Sequence, residues 1–364
     1  MQLRNATSYP AELLRGVSPR GDDRMLGCVI VRRTYRLRHG ELVETPDEPW
    51  PIGAEGAETP LGPMPGDKGV YPGGIDVLVG GTVRQPDGSL RPRLDVEIEV
   101  GRRFRRRIAV FGDRTWIPAQ DGRLIPSDPE PFLSMDLRYE RAFGGQAPTD
   151  YGVSMPFSQN PIGKGFYLGK ETAAGRPLPN LEDPSRLITS IDDHPDPVGL
   201  GYYPLDGSLR PLASLDHPIA KAMADRTLSP ASAAGAEPLR PEQIKPTLFS
   251  MAHPAMIIEA GKGPEPGDRI RLSHGMRDGD LEFLMPSIPL HVHVQLESRH
   301  YLFPLHLDQV GLVGGEGRVM FSHRCVFEYR LVKRERRIAT LHTGPLPEAM
   351  PEGYPVALAS AWDD

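Results

Sequence analysis

The stretch Arg24-Met-Leu-Gly-Cys-Val-Ile-Val-Arg-Arg-Thr-Tyr-Arg-Leu37 is dense in β-branched and aromatic residues, the types that suit a pleated, half-buried surface. In its second half Val31, Arg33, Tyr35 and Leu37 alternate with Arg32, Thr34, Arg36 and Arg38. Successive side chains of a strand point to opposite faces, so this period of two predicts a long strand with one wet, basic face.

The same signal recurs on both sides of a loop-rich middle. Ile75 to Arg84, Arg93 to Val100, Phe104 to Phe111 and Phe132 to Phe143 read as strands, divided by turn residues such as Pro86-Asp-Gly88 and Gly101. Residues 1–145 are therefore expected to form one antiparallel β unit. Strand signals resume at Pro254 to Ile258, Arg269 to Leu272, Leu281 to Leu284, Leu290 to Leu296, Tyr301 to Leu307 and Val319 to Val332. They predict a second β unit over 247–342. The hairpin pattern of Leu94 to Phe111 has the same shape as Leu290 to Leu307, a hint of distant duplication.

Between the two, residues 146–246 are crowded with Pro, Gly, Asn and Asp, and only Pro218 to Asp225 has helix character, with Asp216 and Pro218 near its start. A free loop of that length is exceptional in a folded protein, so Phe166, Tyr167, Tyr202 and Tyr203 are expected to drape it over the β core. Residues 343–364 read as a poorly ordered tail. The fold class expected is thus mainly β: two antiparallel, sandwich-like units joined by a long loop-rich segment with little helix.

Composition agrees. A chain of 364 residues with 39% hydrophobic residues can fill a core, and 39 Gly and 40 Pro favour many turns over long helices. A formal charge of −6 offers no global attraction to nucleic acid. Cys28 and Cys325 lie in apolar runs and read as two buried small hydrophobes, as in a reducing compartment. The N-terminus has no signal design and no apolar run is long enough to cross a bilayer, so a cytoplasmic protein without membrane contact is expected.

The catalytic candidates are few. His291 and His293 share one face of a strand and could reach a single metal with His300 or His306 from the next, giving a metal-dependent hydrolase; equally, they form the wet side of a half-buried strand. Asp192-Asp-His-Pro-Asp196 offers ligand atoms but also the residues a turn requires. Gly163-Lys-Gly-Phe-Tyr-Leu-Gly-Lys170 fails as a phosphate loop on spacing and on Glu171. No nucleophile elbow is present, and no cofactor is implied. A carbohydrate or envelope binding β module would need a planar row of aromatics, and the chain has three Trp, among them Trp362 in the tail. Arg103, Arg105 and Arg107 alternate beside a hairpin turn, where they would contact an acidic partner or protect an edge strand from aggregation.

The most distinctive segment is Leu137-Arg138-Tyr139-Glu140-Arg141-Ala142-Phe143-Gly144-Gly145, which reads as the end of a strand followed by a sharp paired-glycine turn. Alternation would set Arg138 with Glu140 and Tyr139 with Arg141, either for partner contact or as an internal ion pair pinning the turn. This segment resembles the signature of a bacterial family of unknown-function domains found beside type VI secretion spike and effector proteins. Leu3-Arg-Asn-Ala-Thr7, Gly80-Gly-Thr-Val83, Asn160 to Phe166, Leu178 to Glu182 and Pro197 to Gly201 resemble that family too, in its order. The resemblance implies a stand-alone adaptor or chaperone that stabilises a cognate effector toxin and docks it on the spike, with no catalytic residue and no fused effector.

Overall fold

The Arg24–Arg38 strand is the axis of the molecule. In this computed structural model, which describes residues 1–17, 24–53, 55–67, 69, 72, 74–149, 152–204, 249–296, 299–330 and 336–346, it pairs antiparallel along its length with Arg318–Arg330. The two longest β-branched runs thus find each other across the chain. Cys28 faces Val326 while Cys325 faces Val29, so the two thiols point to opposite faces of the sheet, buried and unbridged. Burial pushes the Cys28 thiol up to about 12.

Around this axis an eight-stranded sheet forms in the order Ser134–Asp136, Gly74–Arg84, His306–Gly314, Arg318–Arg330, Arg24–Arg38, Ala11–Val17, with Ile257–Glu259 and Glu41–Glu44 added beside it. Gly74–Arg84 runs parallel to His306–Gly314, which makes the sheet mixed. A five-stranded antiparallel sheet runs Leu181–Glu182, Phe104–Phe111, Arg93–Val100, Arg269–Met276, Gly279–Leu284. A four-stranded sheet runs Gln2–Asn5, Arg337–Thr343, Leu290–Leu296, Arg299–Pro304.

The protein is mainly β, as composition and periodicity predict. The stretches 1–145 and 247–342, however, share all three of these sheets. Periodicity identifies a strand but carries no information about which distant strand it pairs with. The similar patterns at Leu94–Phe111 and Leu290–Leu307 both become antiparallel hairpins, in different sheets.

Two apolar layers hold the sheets together. Val77, Val79, Ile98, Ile108, Leu272, Leu312 and Phe321 belong to the larger core, between the eight- and five-stranded sheets. Val29, Val31, Val292, Val294, Phe327 and Leu341 belong to the second, beneath the four-stranded sheet, where Phe303 stacks on Phe327 at 5.3 Å between ring centroids. Part of the loop-rich middle makes a third cluster with Trp116, Phe143, Phe166, Leu178 and Ile188, and Tyr202 and Tyr203 are buried in the main core. That part does lie over the β core. The helix expected at Pro218 to Asp225 and the tail from residue 347 lie outside the described residues. Among these the single α-helix is Lys170–Ala173.

Two local expectations need correcting. Arg32 and Thr34, predicted on a wet face, are buried, because the segment from Trp50 to Asp67 folds over that side of the sheet. Phe132 to Phe143 is not one strand: only Ser134–Asp136 pairs in the sheet, Arg138 is extended, and Tyr139–Arg141 forms a single 3-10 turn.

Candidate functional site

The Arg138–Gly145 segment sits at the meeting point of the other distinctive segments. Leu137 donates its N–H to the Gly81 carbonyl at 2.8 Å, and the Leu200 N–H donates to the Tyr139 hydroxyl at 3.1 Å. Asn160 Nδ2 donates to the carbonyls of Tyr139 at 2.9 Å and Phe143 at 3.0 Å. Arg141 Nη1 donates to Asn180 Oδ1 at 3.2 Å, and the Asn180 N–H donates back to the Arg141 carbonyl at 2.8 Å. Phe143–Gly144 pairs with Lys164–Gly165. Buried polar groups must find partners, and here backbone groups and two asparagine side chains from four distant segments supply them.

Tyr139, Arg141, Phe143, Gly144 and Gly145 are thus tied into the fold by these bonds. The 3-10 turn breaks the alternation expected for a strand, so no ion pair joins Glu140 to Arg138 or Arg141 among the described residues. Glu140 is exposed, and the Arg138 guanidinium lies 3.6 Å from the Asp136 carboxylate with most of its side chain in solvent. These two remain available to a partner.

The outer face of the five-stranded sheet is the most organised charged surface. Arg105 and Arg269 both hydrogen-bond the Glu99 carboxylate. Arg107 and Arg271 approach Glu97 at 3.4 Å each, and Arg271 also contacts Asp280 at 2.7 Å and Glu282 at 3.5 Å. Burial raises the Glu99 pKa, but Arg105 and Arg269 outweigh it and hold the carboxyl below the ordinary glutamate value. Arg105 and Arg107 are thus ion-paired components of a ladder instead of a free basic patch, while Arg103 stands exposed in the turn. The signal was available in the chain: Asp95, Glu97 and Glu99 alternate along one hairpin arm as Arg105 and Arg107 do along the other.

The histidines are rearranged relative to expectation. His291 stacks on His342 at 5.3 Å between ring centroids, and His293 Nε2 lies 2.9 Å from His300 Nδ1. All four lie on one face of the four-stranded sheet. His306 belongs to the eight-stranded sheet, so the set His291, His293, His306 is not brought together. His342, too remote in sequence to be associated, takes part instead. Among the described residues no three His, Cys, Asp or Glu are placed to hold a metal. Asp193 accepts from the Thr189 and Ser190 N–H groups, the turn role its neighbours suggested. Trp50 and Trp116 are buried, and Trp362 is outside the described residues.

A buried charge network escaped sequence reading altogether. Arg32 Nη2 donates to Asp67 Oδ1 at 2.6 Å and to Gln309 Oε1 at 3.1 Å, and Arg324 pairs with Asp308 at 2.8 Å and with the same Asp67 oxygen at 3.2 Å. Every one of these side chains is sealed from solvent. Asp76 lies close by, accepting the Met251 N–H at 2.7 Å; burial raises its pKa to about 6.

Two other buried groups give the protein an acid limit. Burial lowers His323 to about 3 and His253 to about 4, and His253 Nδ1 accepts the Ala255 N–H at 3.1 Å, which requires that nitrogen bare. The unfolded chain takes up these protons near 6.5 while the folded chain does not, so their stability is complete above that pH and is lost as pH falls toward 4 and 3. Asp76 acts oppositely, its contribution fading as pH rises through about 6. With each pKa unit worth about 1.4 kcal/mol, the two histidines outweigh the one carboxylate. The unfolding free energy is expected to decline steadily between pH 6.5 and 4 in urea titrations, and less so in His323→Gln. A flat profile would show that the histidines titrate normally.

Among the described residues no helix is long and apolar enough to cross a membrane. No curated protein and no solved structure matches the chain. A family profile described as "Uncharacterized protein conserved in bacteria (DUF2169)" matches residues 22–324, from the axial strand through Arg324 of the buried network. That span covers most of the chain, which therefore belongs to this bacterial family.

Proposed function

We propose that this chain is a cytoplasmic adaptor or chaperone that binds a cognate effector toxin of a type VI secretion system and helps load it onto the spike, acting through its surfaces and changing no covalent bond. The observation that carries the binding role is the outer face of the five-stranded sheet, a broad array of paired charges at whose margin a strand keeps its outer edge unpaired among the described residues. Charged faces of this kind give selectivity and fast encounter with a complementary partner. The type VI assignment rests on the resemblance carried by Leu137–Gly145 and the segments gathered around it.

Co-expression is expected to raise the soluble yield of a toxin encoded beside this gene, and the two should co-elute from a sizing column. Arg107→Glu, which sets a carboxylate beside Glu97, should weaken the complex by roughly tenfold while costing no more than about 1 kcal/mol of stability, since the Arg107 side chain is largely exposed. Separate elution of the pair at micromolar concentration would remove the adaptor reading.

A further inference from the structure

We infer that the outer edge of the Gly279–Leu284 strand is a docking site for an extended, basic segment of the partner, which adds to the five-stranded sheet as a sixth strand. The inference rests on the binding role proposed above and names the chemistry of its partner. Among the described residues Gly279–Leu284 is the last strand of its sheet. Met285 donates its N–H inward to the Asp268 carbonyl at 2.8 Å, so the antiparallel alternation turns the backbone N–H and C=O of Leu284 and Glu282 outward. No described residue takes up those groups, and Leu284 is 65% exposed. The opposite margin is closed: Leu181–Glu182 covers Ala109 and Val110, and Arg106 Nε donates to the Ala255 carbonyl at 2.7 Å.

The charge order of the sheet selects the occupant. Across its outer face the columns alternate in sign, from Arg105 and Arg107, through Glu97 and Glu99, to Arg269 and Arg271, and end on Asp280 and Glu282. The next column in this series is cationic. A second copy pairing edge to edge would set Asp280 and Glu282 against themselves, which disfavours self-association. The fitting segment carries Lys or Arg at the two alternate positions facing Asp280 and Glu282 and an apolar residue facing Leu284, with its main chain bonded to the edge.

The probe is a short peptide with arginine at the two alternate positions facing Asp280 and Glu282 and valine elsewhere, set against a counterpart with glutamate at those two positions and against the arginine peptide N-methylated at alternate residues. By fluorescence anisotropy the arginine peptide should bind at least about tenfold more tightly than either, and hydrogen exchange should slow at Glu282 and Leu284. Glu282→Lys should invert the preference between the two charged peptides. Leu284→Pro removes an outward N–H and leaves the ladder to Arg269–Met276 intact, so it should abolish binding at an unchanged melting temperature; were that variant to misfold, the methylated peptide still decides. Equal binding of the charged peptides, indifference to methylation, or protection elsewhere would overturn the edge site. If Leu284→Pro retains the toxin fully, the edge inference falls and the adaptor reading stands; peptide capture without any toxin complex gives the reverse.

Discussion

Arg324→Ala is expected to remove about 3–5 kcal/mol of folding stability, the cost of leaving a buried charge without its partner. Arg324 joins two carboxylates: Asp308 at 2.8 Å and Asp67 at 3.2 Å, both with side chains wholly shielded from solvent. Asp67 in turn holds Arg32 and accepts the Gly53 N–H at 2.8 Å, while Arg32 also donates to the Pro51 carbonyl. The network therefore fastens the Trp50–Asp67 segment onto the eight-stranded sheet. Without Arg324, Asp308 loses its cation, and one of its oxygens already has no hydrogen-bond partner among the described residues.

Domains are commonly stable by only about 5–15 kcal/mol, so this variant should be largely unfolded at modest denaturant concentration. Arg324→Met combined with Asp308→Leu should recover most of the loss, because apolar groups of similar volume often replace a buried ion pair at little cost. Urea unfolding followed by circular dichroism measures both. If Arg324→Ala costs less than about 1 kcal/mol, water reaches the site and the network is not sealed.

The network also shows how far the sequence could be read. Arg24–Arg38, Arg93–Val100, Phe104–Phe111 and Leu290–Leu296 declare themselves as strands because β-branched residues alternate along them. What alternation cannot reveal is which side meets water. Arg32 looked exposed because it is charged; it is buried because Asp67 and Gln309, 35 and 277 positions away, arrive to pair with it. The same limit hid the His291–His342 contact, made across neighbouring strands from different parts of the chain.

The Arg138–Gly145 segment was legible as important but not as a shape. Its residues have the composition of a strand end, yet Tyr139–Arg141 turns, because Asn160 and the Leu200 backbone hold its polar groups from outside. By contrast the ladder of Arg105 and Arg107 with Glu97 and Glu99 needed only a hairpin, a local pairing that periodicity and a short turn do specify.

Gly144→Ala should be the most damaging single methyl group in that segment. Gly144 has a φ of +146°, which L side chains rarely adopt, and an added Cβ would lie 2.1 Å from the Asn160 carbonyl oxygen. Asn160 cannot simply retreat. Its amide bonds the Tyr139 and Phe143 carbonyls, and its own carbonyl accepts the Gly145 N–H at 2.8 Å. Relief of the clash breaks at least one buried hydrogen bond, and together with the backbone strain this is expected to cost about 3 kcal/mol or more.

Arg138→Ala supplies the contrast. Its side chain is 58% exposed and its one approach to Asp136, at 3.6 Å, is loose, so the stability change should stay within about 0.5 kcal/mol. If the segment is architecture, melting temperature and partner binding fall together in Gly144→Ala, and both persist in Arg138→Ala. If Arg138 touches the partner, Arg138→Ala loses the complex at an unchanged melting temperature. Should Gly144→Ala melt like the wild type, Asn160 does not lock this turn, and the convergence of the distinctive segments has to be sought in something other than their hydrogen bonds.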